Sequence, residues 1–324
     1  GEEAYIERYI FSADLDSGGK VNVDFTISNM GWGDGHGAAR VRVKLPGHSK
    51  YRFSKKLGKG KWSADKKGFK LDIAKTTVHS VDGKTFHIKH NGKVKLDLVY
   101  KNIVPMWKPG RGQVDVKDGY YSFHLISPRA QVVGRVFMDG KWHNVRSTDR
   151  GYADHVATNI APYDFAQNYA RSRYYEGDLF VTWRNVKLSR RYGGGTYTWV
   201  MISYKDRVVF SDPRARLRLG KSRKDIRTGY KPPYAVQIDA RQGKDHIKLI
   251  MRGTEVRKTN LLKTYSAAVK AVASAVSKPF RYEFPCTYAL QMEIQGARAL
   301  VRGKAHYTFD YVNWSFVDVS SRYR

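Results

Sequence analysis

The chain has 324 residues with 41% hydrophobic and 13% aromatic side chains, which excludes a disordered chain and exceeds one ordinary domain. No apolar run approaches the ~20 residues a membrane-spanning helix needs. The single cysteine, Cys286, excludes an intrachain disulfide and a multi-cysteine metal centre, and the net charge of +30 points to anionic surroundings or partners.

Alternating hydrophobicity dominates and predicts strands. Val21, Val23, Phe25 and Ile27 form one period-two set, Val41, Val43 and Leu45 another. Phe69, Leu71 and Ile73 follow, then Phe86 and Ile88, then Val94, Leu96 and Leu98. Asp82-Gly83 and Asn91-Gly92 lie between such runs and predict tight hairpins. Tyr121, Phe123 and Leu125 lead to Ser127-Pro128, where a first domain, 1–128, is expected to end. In the second domain, 129–324, Val132, Val136 and Met138 precede a hairpin at Asp139-Gly140. Further strands are expected over 178–186, 197–204, 207–210, 234–239, 246–252, 288–295 and 297–311. A short helix is predicted over 162–171. Leu261, Leu262, Tyr265, Ala268, Val269, Val272 and Val276 share a face at helical spacing and predict an amphipathic helix over 261–276. The fold class is therefore all-β: two antiparallel barrels packed together, with one helix in the C-terminal half.

Basic residues are denser in two stretches. One runs from Lys55 to Lys70. The other holds Arg214, Arg216 and Arg218, alternating with Ala215, Leu217 and Leu219, which places the three arginines on one strand face. Such faces are most often solvated. Their functional reading is attraction to an anionic membrane surface, with nucleic acid the lesser reading because no nucleic-acid-binding motif is present.

No cofactor is expected. Asp34 and His36 among glycines supply two ligands where a metal needs three or four, and His79, His87 and His90 lack metal-ligand spacing. Gly193-Gly194-Gly195 lacks the Lys-Ser/Thr of a phosphate loop and predicts a hairpin tip. Trp107, Tyr120, Tyr163, Trp183, Trp199 and Trp314 are candidates to line an apolar pocket, although barrel aromatics are commonly core.

Gly151-Tyr152-Ala153-Asp154-His155 reads as a turn that sets an acid, an imidazole and a phenol side by side. Asp154, His155 and Tyr152 are the candidate catalytic residues, since a carboxyl shielded from water can protonate an alkene and an imidazole can relay the proton. Their structural reading is mutual hydrogen bonding that pins the domain junction.

Three blocks carry a family resemblance. The first is Asn29-Met30-Gly31-Trp32-Gly33-Asp34-Gly35-His36 with Ala38-Ala39-Arg40-Val41. The second is Trp107-Lys108-Pro109-Gly110-Arg111-Gly112 with Tyr120-Tyr121 and Pro128-Arg129-Ala130. The third is Gly151 to His155 with Pro162. Together they resemble the double-lipocalin proteins, which include carotenoid 1,2-hydratases, AttH-like bacterial proteins, the fungal survival-factor family and certain pericyclases. The resemblance implies two calycin-like barrels and either carriage of a hydrophobic small molecule, a lipid or isoprenoid, or chemistry on one. The hydratases carry Asp-His-Asn-Trp where this chain has Asp154-His155-Val156-Ala157, and an acid on a following strand where this chain reads Thr182-Trp183-Arg184. Binding is therefore the leading expectation, and a cofactor-independent hydratase, cyclase or isomerase the alternative. A periplasmic or secreted address is expected from the basic charge and the strand-like start, with a cytoplasmic one left open.

Overall fold

The computed structural model describes residues 4–29, 35–65, 68–254, 256–263 and 278–313. They form two antiparallel sheets and almost no helix. The first sheet contains β1 (Ile6–Leu15), β2 (Lys20–Ser28), β3 (His36–Lys44), β4 (Tyr51–Leu57), β5 (Ser63–Asp65), β6 (Phe69–Ile73), β7 (Thr76–Ser80), β8 (Thr85–Asn91), β9 (Lys95–Asn102), β10 (Gln113–Val116), β11 (Gly119–Met138) and β12 (Lys141–Thr158). After a one-turn helix, α1 (Pro162–Phe165), the second sheet contains β13 (Ala166–Glu176), β14 (Leu179–Leu188), β15 (Thr196–Tyr204), β16 (Arg207–Asp212) and β17 (Arg216–Ser222). It continues with β18 (Pro233–Gln242), β19 (Asp245–Gly253), β20 (Arg257–Asn260), β21 (Phe280–Ile294) and β22 (Ala297–Tyr311).

Both sheets follow one plan. The first runs β4-β3-β2-β1-β12-β11-β9-β8-β7-β6-β5, the second β16-β15-β14-β13-β22-β21-β19-β18-β17. Each is an up-and-down meander whose last strand returns to its first. Among the described residues the backbone ladder is open between β4 and β5 and between β16 and β17. Side chains tie strands together near both openings. In the first sheet the Tyr51 hydroxyl lies 3.1 Å from His90 Nε2, and the Thr76 hydroxyl 2.9 Å from its Nδ1. In the second, Asp212 accepts the Arg214 and Arg241 amides at 2.7 and 2.9 Å.

Period-two patterning fills each interior. Phe11, Val23, Phe25, Val41, Ile88, Leu98 and Val132 pack in the first sheet, and Trp183, Ile202, Ile238, Leu249, Phe284 and Phe309 in the second. Tilted ring pairs show the first sheet closing on itself: Phe11 meets Phe86 with centroids 5.6 Å apart, and Phe53 meets His90 at 4.7 Å.

The expected strands and hairpins are present, with four differences. The compact units divide between Ala161 and Pro162, with Lys205–Arg207 belonging to the first, instead of after Pro128. Ser127 and Pro128 lie inside β11, where successive register shifts bend the strand. A proline at a bulge removes no ladder bond, so the strand continues through it. Only Pro162–Phe165 of the expected helix over 162–171 is helical; the rest enters β13, where Ala170, Ser172 and Tyr174 are buried and Arg171 and Arg173 between them less so. The expected helix over 261–276 lies outside the described residues apart from 261–263, which form a turn after β20.

The fourth difference concerns Gly151 to His155, which is mid-strand in β12 and not a turn. Gly151 is needed there for close approach: a Cβ would sit 2.5 Å from Val132 Cγ2 and 2.8 Å from the Ala130 carbonyl. The glycine lets β11 bend against β12 at the bulge.

Candidate functional site

Strand geometry separates the residues that adjacency suggested would act together. Successive side chains on a strand point to opposite faces. Ala153 and His155 lie opposite Phe11 and Tyr9 on β1, on the inner face of the first barrel, whereas Tyr152 and Asp154 lie opposite Ser12 and Ile10 on the outer face. Asp154 and His155 therefore neither hydrogen-bond each other nor share a reaction space. Tyr152, two residues from Asp154, does share its face, and its hydroxyl donates to Asp154 Oδ2 at 2.7 Å. Both are buried.

His155 instead belongs to a cluster with no member in the expected site except itself. Its Nε2 lies 3.0 Å from Glu7 Oε1. The Tyr9 hydroxyl donates to the same oxygen at 2.6 Å, and the Tyr5 hydroxyl to Glu7 Oε2 at 2.8 Å. The Tyr9 and His155 rings stack 4.3 Å apart, with His124 5.9 Å from His155. Burial raises the Glu7 carboxyl, but the bonds from His155, Tyr9 and Tyr5 outweigh it and hold the group at about 2. An ionised carboxylate only accepts, so His155 Nε2 carries the proton. Tyr9 is pushed the other way, first by burial and then by the Glu7 charge. His124 is lowered by burial, then by His155 and Lys108.

The register places this cluster at one end of the barrel interior. Leu57, Gly37, Ile27, Glu7, Ala157 and Ser122 align in one row across β4, β3, β2, β1, β12 and β11. The Trp62 indole lies directly on Gly37, where a Cβ would come within 2.7 Å of Trp62 Cγ. Its N–H donates to the Gly35 carbonyl at 2.8 Å. Tyr9 and Phe69 rings meet at 4.9 Å. Ile27, Leu57, Trp62, Phe69 and Tyr9 are only partly buried against the core. The result is an apolar belt with a carboxylate, an imidazole and two phenols at one point on its rim. Such an arrangement can hold an apolar body and hydrogen-bond a polar head.

Glu7 has a folded value far below its ordinary 4.5, so it binds fewer protons folded than unfolded and stabilises the fold above that value. Stability is expected to fall as pH drops from about 4.5 toward about 2, with a shallower acid limb in Glu7→Gln. Urea midpoints across this range for both proteins check it; identical limbs would remove Glu7 from the account.

The remaining described candidates divide between the two units and, within the second sheet, between its two faces. Trp107 forms a backbone bridge with Leu125, and the Tyr120 amide donates to Asn159 Oδ1 at 2.8 Å, both in the first unit. Tyr163 is 36% exposed on α1. Trp183 and Trp199 are buried on opposite faces of the second sheet, since Trp183 pairs with Val200 and Arg184 with Trp199. Trp183 is a core residue. Trp314 and Asp34 lie outside the described residues. Cys286 is buried in the second interior, and burial pushes its thiol up to about 12. Arg214, Arg216 and Arg218 do come together, lining one groove of about 990 Å³ on the second unit. Arg214 sits in the turn before β17, while Arg216 and Arg218 extend from the strand.

Sequence reading missed Glu7, Tyr5 and Tyr9. The available signal was their spacing of two, which puts all three on one strand face.

Among solved structures of similar fold is kievitone hydratase from Nectria haematococca, with 10% identity, a TM-score of 0.56 and coverage of 98% of this chain and 90% of that one. A putative AttH from Nitrosomonas europaea matches at 11% identity and a TM-score of 0.55, covering 94% and 92%. CghA with Sch210972 matches at 9% identity and a TM-score of 0.62, covering 96% and 89%. None of the curated proteins compared with the chain by sequence matches it. The two meanders have the lipocalin-like architecture of these double-barrel proteins. The Svf1 family model matches residues 41–311, and the chain belongs to the Svf1 family.

Proposed function

We propose that the protein binds a hydrophobic small molecule, a lipid or isoprenoid carrying one polar head group, at the open end of the first barrel. The observation that carries this reading is the belt of half-buried Ile27, Leu57, Trp62 and Phe69 ending at the Glu7–His155 pair. Half-buried apolar side chains around a concave rim gain by covering, and a few fixed polar groups orient what covers them. Carriage between membranes is the role that such binding would serve.

Native mass spectrometry and organic extraction of the purified protein test the reading, together with titration of the fluorescent fatty acid cis-parinaric acid. A bound lipid or saturable probe binding is expected. Ile27→Arg should abolish probe binding with the fold intact. Glu7→Gln should weaken it by about fivefold, the worth of ~1 kcal/mol for one hydrogen bond. A protein that extracts empty and ignores the probe, or an Ile27→Arg variant that binds it unchanged, would sink the proposal.

A second reading, acid chemistry on an unsaturated apolar substrate, draws on the buried Asp154 carboxyl with the Tyr152 hydroxyl 2.7 Å from it. In this reading Asp154 is the acid and Tyr152 positions it; His155, on the other face, takes no part. Fold likeness to a hydratase does not choose between the readings. Turnover of an identified substrate that survives Asp154→Asn would remove this one.

A further inference from the structure

The register of the second sheet carries an inference independent of the ligand reading. Across β17, β18, β19, β21 and β22 the outward residues fall into rows. One row reads Arg216, Asp239, Lys248, Gln291 and Leu300. The next reads Arg218, Gln237, Ile250, Ala289 and Arg302. A third continues through Ala235, Arg252, Thr287 and Lys304. Their neighbours on each strand, such as Ile238, Leu249 and Leu290, point into the core. The interior pattern therefore forces the cations onto the outer face.

Acid on this face is scarce. Asp239, which accepts from Gln237 at 2.8 Å, is the one carboxylate in the three rows, and Glu293 beyond them pairs with Arg298 at 3.1 Å. Asp212, in the groove beside the face, accepts two backbone amides. Arg216, Arg218, Lys248, Arg252, Arg302 and Lys304 have no ion-pair partner among the described residues. Neighbouring strands lie ~4.8 Å apart, and same-face residues along a strand ~7 Å apart. The unpaired cations thus cover an area and do not track a line.

We propose that this outer face of the second sheet docks on a membrane through anionic phospholipid headgroups. A two-dimensional spread of cations complements a plane of phosphates. Leu300, 49% exposed, and Ile250 lie among the cations, as suits a headgroup boundary. No Phe, Tyr or Trp lines the groove and His246 is its one ring, so single-stranded nucleic acid would lack the succession of stacking platforms it requires.

Co-sedimentation of the whole protein with phosphatidylcholine vesicles, with and without phosphatidylserine, tests this. Binding to the phosphatidylserine vesicles alone is expected, weakening with salt. Arg216→Gln/Arg218→Gln/Arg302→Gln should weaken it by about fivefold per removed cation, roughly a hundredfold in all. The matched triple Lys56→Gln/Lys70→Gln/Lys89→Gln in the first barrel changes net charge equally and should bind nearly as the parent does. Equal loss in both triples would assign binding to bulk charge and overturn the proposal, as would indifference of the parent to phosphatidylserine. Tighter binding of duplex or single-stranded DNA, lost with the same arginines, would overturn it in favour of nucleic acid. Salt dependence and vesicle protection of amide exchange in β17 to β19 decide the question on the parent protein should the arginine triple not fold.

Discussion

Trp183→Ala is expected to destabilise the second barrel by about 3–5 kcal/mol, among the largest losses a single truncation gives. The indole is 2% exposed, and its N–H donates to Met251 Sδ at 3.4 Å. It packs with Val200, Ile202, Leu249 and Phe284 on the inner face. Truncation forfeits the transfer free energy of the ring and leaves a cavity that rigid strands on all sides cannot close. At ~3 °C per kcal/mol for a unit of this size, the transition should fall by about 10 °C. The measurement separates two roles. A tryptophan lining an open ligand cavity costs little stability when removed and much affinity; one filling the core does the reverse. A loss below about 1 kcal/mol would return Trp183 to the set of ligand contacts. Trp199 supplies no equivalent test of this core, because it faces the other side of the sheet.

That contrast shows what the sequence made legible. Period-two sets such as Val21, Val23, Phe25 and Ile27 announced strands because their inward positions are apolar and the positions between them polar. Asp82-Gly83 and Asp139-Gly140 announced hairpins because such residues suit tight two-residue turns. Gly151 misled for a related reason. A glycine within a strand marks close backbone approach as readily as a turn, and only the packing of Val132 and Ala130 against it decides which. Reading it as a turn made Asp154 and His155 look like partners. Reading it as strand sends them to opposite faces. Pro128 misled likewise, since a bulge in β11 absorbs the proline that elsewhere ends a strand. Glu7 could not be matched to His155 from sequence, because 148 positions separate them and only the pairing of β1 with β12 brings them together. The arginine face was half legible: alternation placed Arg216 and Arg218 on one side of β17, but Arg252 and Arg302 join them only through the register of four further strands.

Arg8→Leu is expected to cost about 2–4 kcal/mol at neutral pH, by stranding a buried carboxylate. Asp24 is 2% exposed on the outer face of β2. The Arg8 guanidinium grips it through Nε, 3.0 Å from each oxygen, and through a further bond from its terminal nitrogen. Thr26 donates to Oδ1 at 3.2 Å. Burial is the largest influence on this carboxyl and raises it; the Arg8 charge and hydrogen bonds, then Arg40 and Arg42, bring it below the usual carboxylate range. With a depressed folded value, the pair stabilises the protein above the ordinary 3.8 and loses that contribution as pH falls through the folded value. In Arg8→Leu burial dominates, so the carboxyl rises and the folded variant takes up a proton more readily than the parent. The gap between variant and parent should therefore narrow steadily as pH falls below neutrality and shrink most under acid. Arg8 is itself 34% exposed, which keeps the loss toward the lower part of the buried-pair range. Asp24→Asn/Arg8→Leu, which removes both charges, should recover much of the lost stability at neutral pH, because no buried ion then lacks its counter-charge. A gap that stays constant with pH, or a double variant no better than Arg8→Leu, would mean that Arg8 acts by packing its stem and not by its charge.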